Sequence, residues 1–339
     1  MKLSNFDFNL PEQLIAQKPI RPRDHSRLMV LNRKKNTIQH SKVSNLPEFF
    51  NSNDTLILNN SRVIPARLFA KKKTGGSAEI FLLHEKEKNI WITITKPGLK
   101  PNTQLHFLDK KQNVTTNEAT VVHKEPDGIT TIQFHFDLTT LLPKIGHTPL
   151  PPYITTPLEQ QSWYQTIYAK QQGSVAAPTA GLHFTNRLLK KISEKGIDTE
   201  FVTLHVGLGT FSPVKTENIS EHTMHSEYGI ITEKTAAAAN KTKGRIITVG
   251  TTSTRLVEHI GQQNNEKLIP FQGWINPFYY PPYTFTTVDA MLTNFHLPKS
   301  TLLMMISAFA SLDFIKEAYQ EAIKQQYRFY GFGDAMLII

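Results

Sequence analysis

The chain has 339 residues, 39% of them hydrophobic and 19% charged, with a formal net charge of +10 and no cysteine. That length suits one large domain plus a smaller one, and the lack of cysteine excludes disulfides, thiolate nucleophiles and Cys-based metal sites. The longest apolar run, Leu302 to Ala310, is too short to cross a bilayer, and Met1 to Leu10 has no apolar segment of the signal-peptide kind, so the expectation is a cytoplasmic protein with no membrane partner.

The basic balance points towards a polyanion. Residues 1–62 carry ten Lys/Arg against five Asp/Glu, among them Arg21, Arg23, Arg27, Arg33, Lys34 and Lys35. Phosphate contacts and counterion release make nucleic acid the partner class that such an excess favours.

In chain order, Leu28–Leu31 and Thr55–Leu58 read as strands. From about residue 64 to 150 the pattern is one of short strands: Glu79–Leu83, Ile90–Ile94, Ala119–Val122 and the nearly alternating Ile129–Phe136. Gly75-Gly76, Pro97-Gly98 and Pro126-Asp127-Gly128 supply turns. Short antiparallel strands at this spacing predict a small barrel or sandwich, and Pro149-Leu150-Pro151-Pro152 closes the block as a stiff hinge. Beyond residue 170, strands at Phe201–Val206, Arg245–Val249 and Ala335–Ile339 alternate with helices at Ala236–Lys243, Thr254–Ile260, Thr301–Ala310 and Asp313–Tyr327. Such alternation predicts an α/β domain with a partly parallel sheet. The expected division is a discontinuous α/β catalytic domain, 1–63 plus 154–339, with a β-rich domain inserted at 64–153.

In α/β sheets ligands gather at the carboxyl ends of strands, so the loops there carry the chemistry. Gly173-Ser174-Val175-Ala176-Ala177-Pro178-Thr179-Ala180-Gly181-Leu182-His183-Phe184-Thr185 combines small residues, which let a backbone approach a ligand, with the titratable ring of His183. The same design recurs at His205-Val206-Gly207-Leu208-Gly209, Thr293-Asn294-Phe295-His296 and Gly331-Phe332-Gly333-Asp334. Gly250-Thr251-Thr252-Ser253-Thr254-Arg255 reads as a helix N-terminus whose hydroxyls cap free amides or hold an anion, and Ser300-Thr301 as a helix cap. Gly207-Leu208-Gly209 is no dinucleotide fingerprint, because Ser212-Pro213 follows. His222-Thr223-Met224-His225-Ser226-Glu227 lacks a metal-binding spacing and fits better as a His–Glu pair, whether for acid–base work or on the surface.

Taken together, these loops resemble those of the S-adenosylmethionine:tRNA ribosyltransferase-isomerases of queuosine biosynthesis. Arg62-Val63-Ile64-Pro65-Ala66-Arg67-Leu68, Pro149 to Ile154, Val249-Gly250-Thr251-Thr252 and Gly333-Asp334-Ala335-Met336-Leu337 extend the resemblance in family order along the chain. Tyr280-Pro281-Pro282-Tyr283 stands where a Pro-Gly turn is expected, and Gly331 where a Ser is more usual.

The resemblance implies a large α/β barrel-like domain with an inserted small all-β, barrel-like domain. It also implies transfer and isomerisation of the ribosyl part of S-adenosylmethionine onto the 7-aminomethyl-7-deazaguanine of tRNA with a GUN anticodon. Epoxyqueuosine would form, with adenine and methionine released, and the cosubstrate consumed without any cofactor or metal. His183, His205, His296, Glu227 and Asp334 are the expected acid–base and positioning groups. Thr179, Gly181, Phe184, Gly207, Gly209, Thr251, Thr252 and Asn294 are expected around the cosubstrate, with Phe184 or Tyr228 facing the sulfonium. Arg21, Arg23, Arg62, Arg67, Lys71, Lys72 and Lys73 are the candidates for tRNA phosphates, and a monomer is expected. An S-adenosylmethionine-dependent tRNA methyltransferase and a non-catalytic RNA-binding module are the competing readings.

Overall fold

Alternation of apolar side chains explains most of the sheet structure. The structure, a computed structural model, describes residues 1–126, 128–207 and 214–339. In chain order the strands β1 (Arg27–Asn32), β2 (Thr37–Lys42), β3 (Thr55–Asn59) and β4 (Ser61–Val63) come first. They are followed by β5 (Arg67–Lys72), β6 (Ser77–Glu87), β7 (Ile90–Lys96), β8 (Gln104–Leu108), β9 (Val114–Lys124) and β10 (Ile129–Phe134). Helix α1 (Leu138–Ile145), β11 (Gly146–His147), β12 (Gln171–Ser174), α2 (Asn186–Glu194), β13 (Asp198–His205) and β14 (Glu227–Ile231) are next. The chain ends with α3 (Glu233–Asn240), β15 (Ile246–Val249), α4 (Gly250–Gln263), β16 (Phe271–Ile275), β17 (Ala290–Asn294), α5 (Thr301–Ala310), α6 (Leu312–Lys324) and β18 (Ala335–Ile338).

Two units result. One comprises Met1–Arg62, Pro152–Gln171 and Ala177–Ile339; the other comprises Val63–Pro151 with Gln172–Ala176. The second unit holds an antiparallel barrel running β5-β6-β7-β10-β9-β8, closed by β8 pairing back onto β5, with β11 added on β5. Alternate residues point inward, including Leu68, Ala70, Ile80, Leu82, Trp91, Leu105, Phe107, Val121 and Ile132. Phe107 stacks on Phe134 with ring centroids 5.4 Å apart. The buried hydroxyl of Thr93 donates to the Thr130 carbonyl at 2.8 Å, so that hydroxyl is satisfied inside the barrel.

The first unit is built on a nine-stranded mixed sheet, ordered β16-β14-β13-β3-β15-β17-β18-β1-β2. Its inner strands are buried on both faces and so read as continuous apolar runs. Met29, Leu31, Ile57, Leu204, Met291 and Met336 pack on one face with Leu256, Ile260, Met304 and Phe314 of the helices. Leu28, Val30, Leu56, Leu58, Val249, Leu292 and Leu337 pack on the other with Leu188 and Ile192 of α2. The mixed α/β class with a small closed barrel agrees with the fold read from the sequence.

Candidate active site

Strand direction gathers the site. β3 runs parallel to β13 and to β15, and β15 parallel to β17, so Asn59, His205, Val249 and Asn294 end at one edge of the sheet. β14 is antiparallel to β13 and therefore starts there with Glu227; β18 is antiparallel to β17 and starts opposite Asn294, just after Asp334. The turn Thr179–His183 reaches the same edge: a Cβ on Gly250, whose φ is +87°, would lie 3.5 Å from the Ala180 Cβ. This positive φ, which favours glycine, lets β15 turn directly into α4.

His183 and Asn294 are the centre of one half. The Asn294 Nδ2 donates to His183 Nε2 at 3.1 Å and to the carbonyls of Tyr330 at 3.2 Å and Asp334 at 3.4 Å. Two of the three partners are carbonyls, which fixes the amide nitrogen on this side. His183 Nε2 therefore accepts, and the proton of its neutral ring sits on Nδ1. Burial lowers the His183 pKa to about 4, with Arg23 and Arg328 adding repulsion. His296 is held the same way: its Nε2 lies 2.9 Å from Thr293 Oγ1, its backbone N–H donates to the Tyr319 hydroxyl at 2.8 Å, and burial lowers its pKa to about 3. Both rings are neutral at pH 7.

The other half is built on β13 and β14. His205 is half-buried, its pKa is lowered by burial, and its Nδ1 is enclosed without a hydrogen-bond partner among the described residues. Nearby, the Glu227 Oε1 accepts from the Gly207 backbone N–H at 3.2 Å while its Oε2 accepts from Arg255 Nη1. Glu227 and Arg255 are 3% and 4% exposed, so the pair is fully desolvated. Arg255 Nε and Nη2 are buried without partners among the described residues. Glu227 thus pairs with a helix arginine rather than with His222 or His225; His222 instead packs edge-on against Phe278 at 5.4 Å.

Other expected residues divide. Thr251 and Thr252 lie in the first turn of α4, and Thr252 Oγ1 accepts from Asn59 Nδ2 at 3.3 Å. The Ser253 and Thr254 hydroxyls do not cap the helix. They donate back to the carbonyls of Val249 and Gly250, at 2.9 and 3.0 Å, which leaves the first-turn amides of α4 without a side-chain cap. Ser300, by contrast, does cap α5, accepting from Leu303 N at 3.2 Å.

Thr179 and Gly181 lie in the turn before His183. A Cβ on Gly181 would come 2.1 Å from the Tyr168 hydroxyl, so glycine is needed there for close packing. Phe184 is fully enclosed in the apolar core with Leu188 and Ile192 of α2. Asp334 is also buried, and both its oxygens are occupied: Oδ1 accepts from Arg27 N at 2.9 Å, and Oδ2 from Arg328 N at 2.8 Å and Arg27 Nε at 3.2 Å. Gly209 lies outside the described residues.

Among the basic candidates of the first unit, Arg21 and Arg62 are exposed; Arg21 lies over the Trp163 ring at 5.1 Å. Arg23 differs from expectation. It is 8% exposed, and its guanidinium donates to the carbonyls of Gln165 and Ser162, both at 2.7 Å, so it braces a loop instead of meeting solvent. In the barrel unit Lys73 is exposed and Lys71 and Lys72 half-buried, while Arg67 is paired with Glu79 at 2.5 Å.

Sequence reading passed over Asn59 and the pairing role of Arg255. Asn59 is completely buried and joins β3 to β13, donating to the Leu204 carbonyl at 2.9 Å and accepting from its N–H at 3.1 Å. The aromatic pair Tyr153–Tyr330, with centroids 4.7 Å apart, lies beside the C-terminal loop and was also missed. A polar residue closing an apolar strand was the available signal for Asn59; nothing in local spacing connects Glu227 with Arg255.

Comparison with known proteins agrees with this architecture. Residues 3–338 match the family described as queuosine biosynthesis protein. Among solved structures, the S-adenosylmethionine tRNA ribosyltransferase of Thermotoga maritima is similar at 36% identity and a TM-score of 0.57, with 99% of this chain and 100% of that one covered.

Proposed function

The chain belongs to the queuosine biosynthesis protein family, and from that premise we propose that it is an S-adenosylmethionine:tRNA ribosyltransferase-isomerase. It moves the ribosyl group of S-adenosylmethionine onto the aminomethyl nitrogen of a 7-deazaguanine in tRNA with a GUN anticodon. Epoxyqueuosine forms, adenine and methionine leave, and no cofactor takes part. The protein acts as a monomer. The observation that carries this reading is the convergence of three histidines, one carboxylate and one helix N-terminus on a single strand-end edge.

The chemistry needs a base at the C5′ carbon next to the sulfonium, a donor for departing adenine, and an anion site for the methionine carboxylate. His205 is the base: burial keeps its ring neutral, and Nδ1 has no hydrogen-bond partner among the described residues. His183 is the donor to adenine, since Asn294 occupies its Nε2 and fixes the proton on Nδ1. Thr251 and Thr252, with the first amides of α4, take the carboxylate. Glu227 holds Gly207 and so shapes the segment after His205, while Asp334 keeps the Tyr330 carbonyl on Asn294. Arg21 and Arg62, and in the barrel unit Arg67, Lys71, Lys72 and Lys73, supply phosphate contacts.

Label transfer tests the reading. S-adenosylmethionine labelled in the ribose should pass its label to substrate tRNA, and the methyl-labelled compound should not; the reverse would make the protein a methyltransferase. His205→Gln should slow that transfer at least about 100-fold with both substrates still bound, and undiminished transfer would remove His205 from the role of base.

A further inference from the structure

Two side chains beside the proposed base His205, Tyr228 and Trp274, are not used by the chemistry. His205 on β13 lies directly opposite Tyr228 on β14, and Tyr228 directly opposite Trp274 on β16. Side chains opposite one another on neighbouring strands share a face of the sheet, so the three rings form one row. Its planes and spacing are ordered: His205 and Tyr228 are parallel within 9° at 6.5 Å, and Trp274 meets Tyr228 at 72° and 5.3 Å.

This row is on the face away from α4. Gly229, the neighbour of Tyr228, points at α4, where an added Cβ would lie 2.7 Å from Leu256 Cδ1, so Tyr228 points the other way. Gln272 fixes the Tyr228 ring by donating to its hydroxyl at 2.8 Å. Exposure grows outward along the row: His205 and Tyr228 are half-buried, whereas Trp274 is 52% exposed on the edge strand. Two strand spacings separate its ends, about 10 Å.

We propose that the pair Tyr228–Trp274, which continues outward from the base His205, is a stacking platform for unpaired bases of the RNA that flank the base being modified. The inference rests on the reading of tRNA as substrate. Three features favour RNA over a protein partner. Every ring carries a polar tip on a flat apolar body, which suits a base better than an aliphatic anchor. The row begins at the reaction-site histidine, so a base on it is a neighbour of the target. The chain is basic, at +10, so a polyanion is drawn to it. Aromatic side chains that stack bases are the usual means of holding single-stranded loops, and duplex RNA cannot use them.

The test compares binding of two RNAs of equal charge, a hairpin with an unpaired loop and a blunt duplex, to the full-length wild type, Trp274→Ala and Trp274→Phe. The hairpin should bind Trp274→Ala about tenfold more weakly than wild type, the duplex should bind both equally, and Trp274→Phe should restore hairpin binding. Ribose transfer by Trp274→Ala should show a raised KM for tRNA with kcat retained. Equal hairpin affinity in all three proteins would overturn the proposal. So would an equal loss for hairpin and duplex, or a dimer that Trp274→Ala dissolves without changing RNA binding. If wild type transferred no ribose but Trp274 still distinguished hairpin from duplex, the enzymatic reading would fall and the platform would stand.

Discussion

Arg255→Met removes the cation from the buried pair with Glu227, and the consequence can be worked from the geometry. The two side chains are 5% and 3% exposed, so water cannot replace the lost partner. Glu227 would retain the Gly207 N–H at 3.2 Å but would lose the counter-charge on Oε2. Stranding one member of a buried ion pair costs about 3–5 kcal/mol, a large part of a domain stability of about 5–15 kcal/mol. Adding Glu227→Gln removes the stranded charge and keeps an oxygen for Gly207, so the double variant should lie within about 2 kcal/mol of wild type. Urea unfolding of the four proteins, read by circular dichroism and by hydrogen exchange in β13 and β14, gives the coupling energy directly. A single variant that loses less than about 1 kcal/mol, or a double variant no better than Arg255→Met, would refute the picture of a desolvated, mutually dependent pair.

Acid should destabilise the protein through its buried histidines. The folded pKa values of about 4 for His183 and about 3 for His296 lie below the unfolded value of about 6.5, so between them the unfolded chain binds more protons. The stability these rings contribute is full above about pH 6.5 and is lost as pH falls through 4 and then 3. His296→Gln should flatten the decline in urea midpoint between pH 7 and 4, and an unaltered slope would contradict this. Gly181→Ala puts a methyl 2.1 Å from the Tyr168 hydroxyl and 2.9 Å from Thr166 Cγ2. It should destabilise by about 1–3 kcal/mol, and Tyr168→Phe, which deletes the nearest atom, should recover part of that in thermal unfolding. Asp334→Asn turns an acceptor towards the donors of Arg27 and Arg328 into an amide; it should cost about 1–3 kcal/mol and weaken adenine release, both measurable on one preparation.

The histidine loops were legible because each combines small residues with a polar one at the end of an apolar run, and strand direction then delivers them to one edge. His183 and Asn294 are 111 residues apart, yet both had been singled out from their own loops. The barrel was legible where alternation was strong, as at Ile90–Ile94 and Ile129–Phe136. Strands β5 and β8 were not, because each is short and their alternation is broken, at Phe69 on the outer face of Arg67-Leu68-Phe69-Ala70-Lys71-Lys72 and by the consecutive buried Phe107 and Leu108 of Gln104-Leu105-His106-Phe107-Leu108. Helix α4 begins four residues before the predicted Thr254: the segment Gly250–Arg255 reads as a helix N-terminus, but Gly250 and the threonines after it do not show which residue is the first helical one. Arg23 and Phe184 show the limit of reading side chains by type. A guanidinium near a basic N-terminus looks like a phosphate ligand, and a ring beside His183 looks like a ligand contact, but only tertiary packing reveals that both are turned inwards. The Glu227–Arg255 pair is invisible for the same reason, since a sheet start meets a helix 28 residues later.

Ribosyl transfer is tested most directly by chromatography of the small molecules released when the full-length protein is mixed with S-adenosylmethionine and tRNA carrying the aminomethyl-deazaguanine. Adenine and methionine should appear in equal amounts, only when that tRNA is present. Release of S-adenosylhomocysteine, or of adenine without regard to the tRNA, would contradict the proposed reaction.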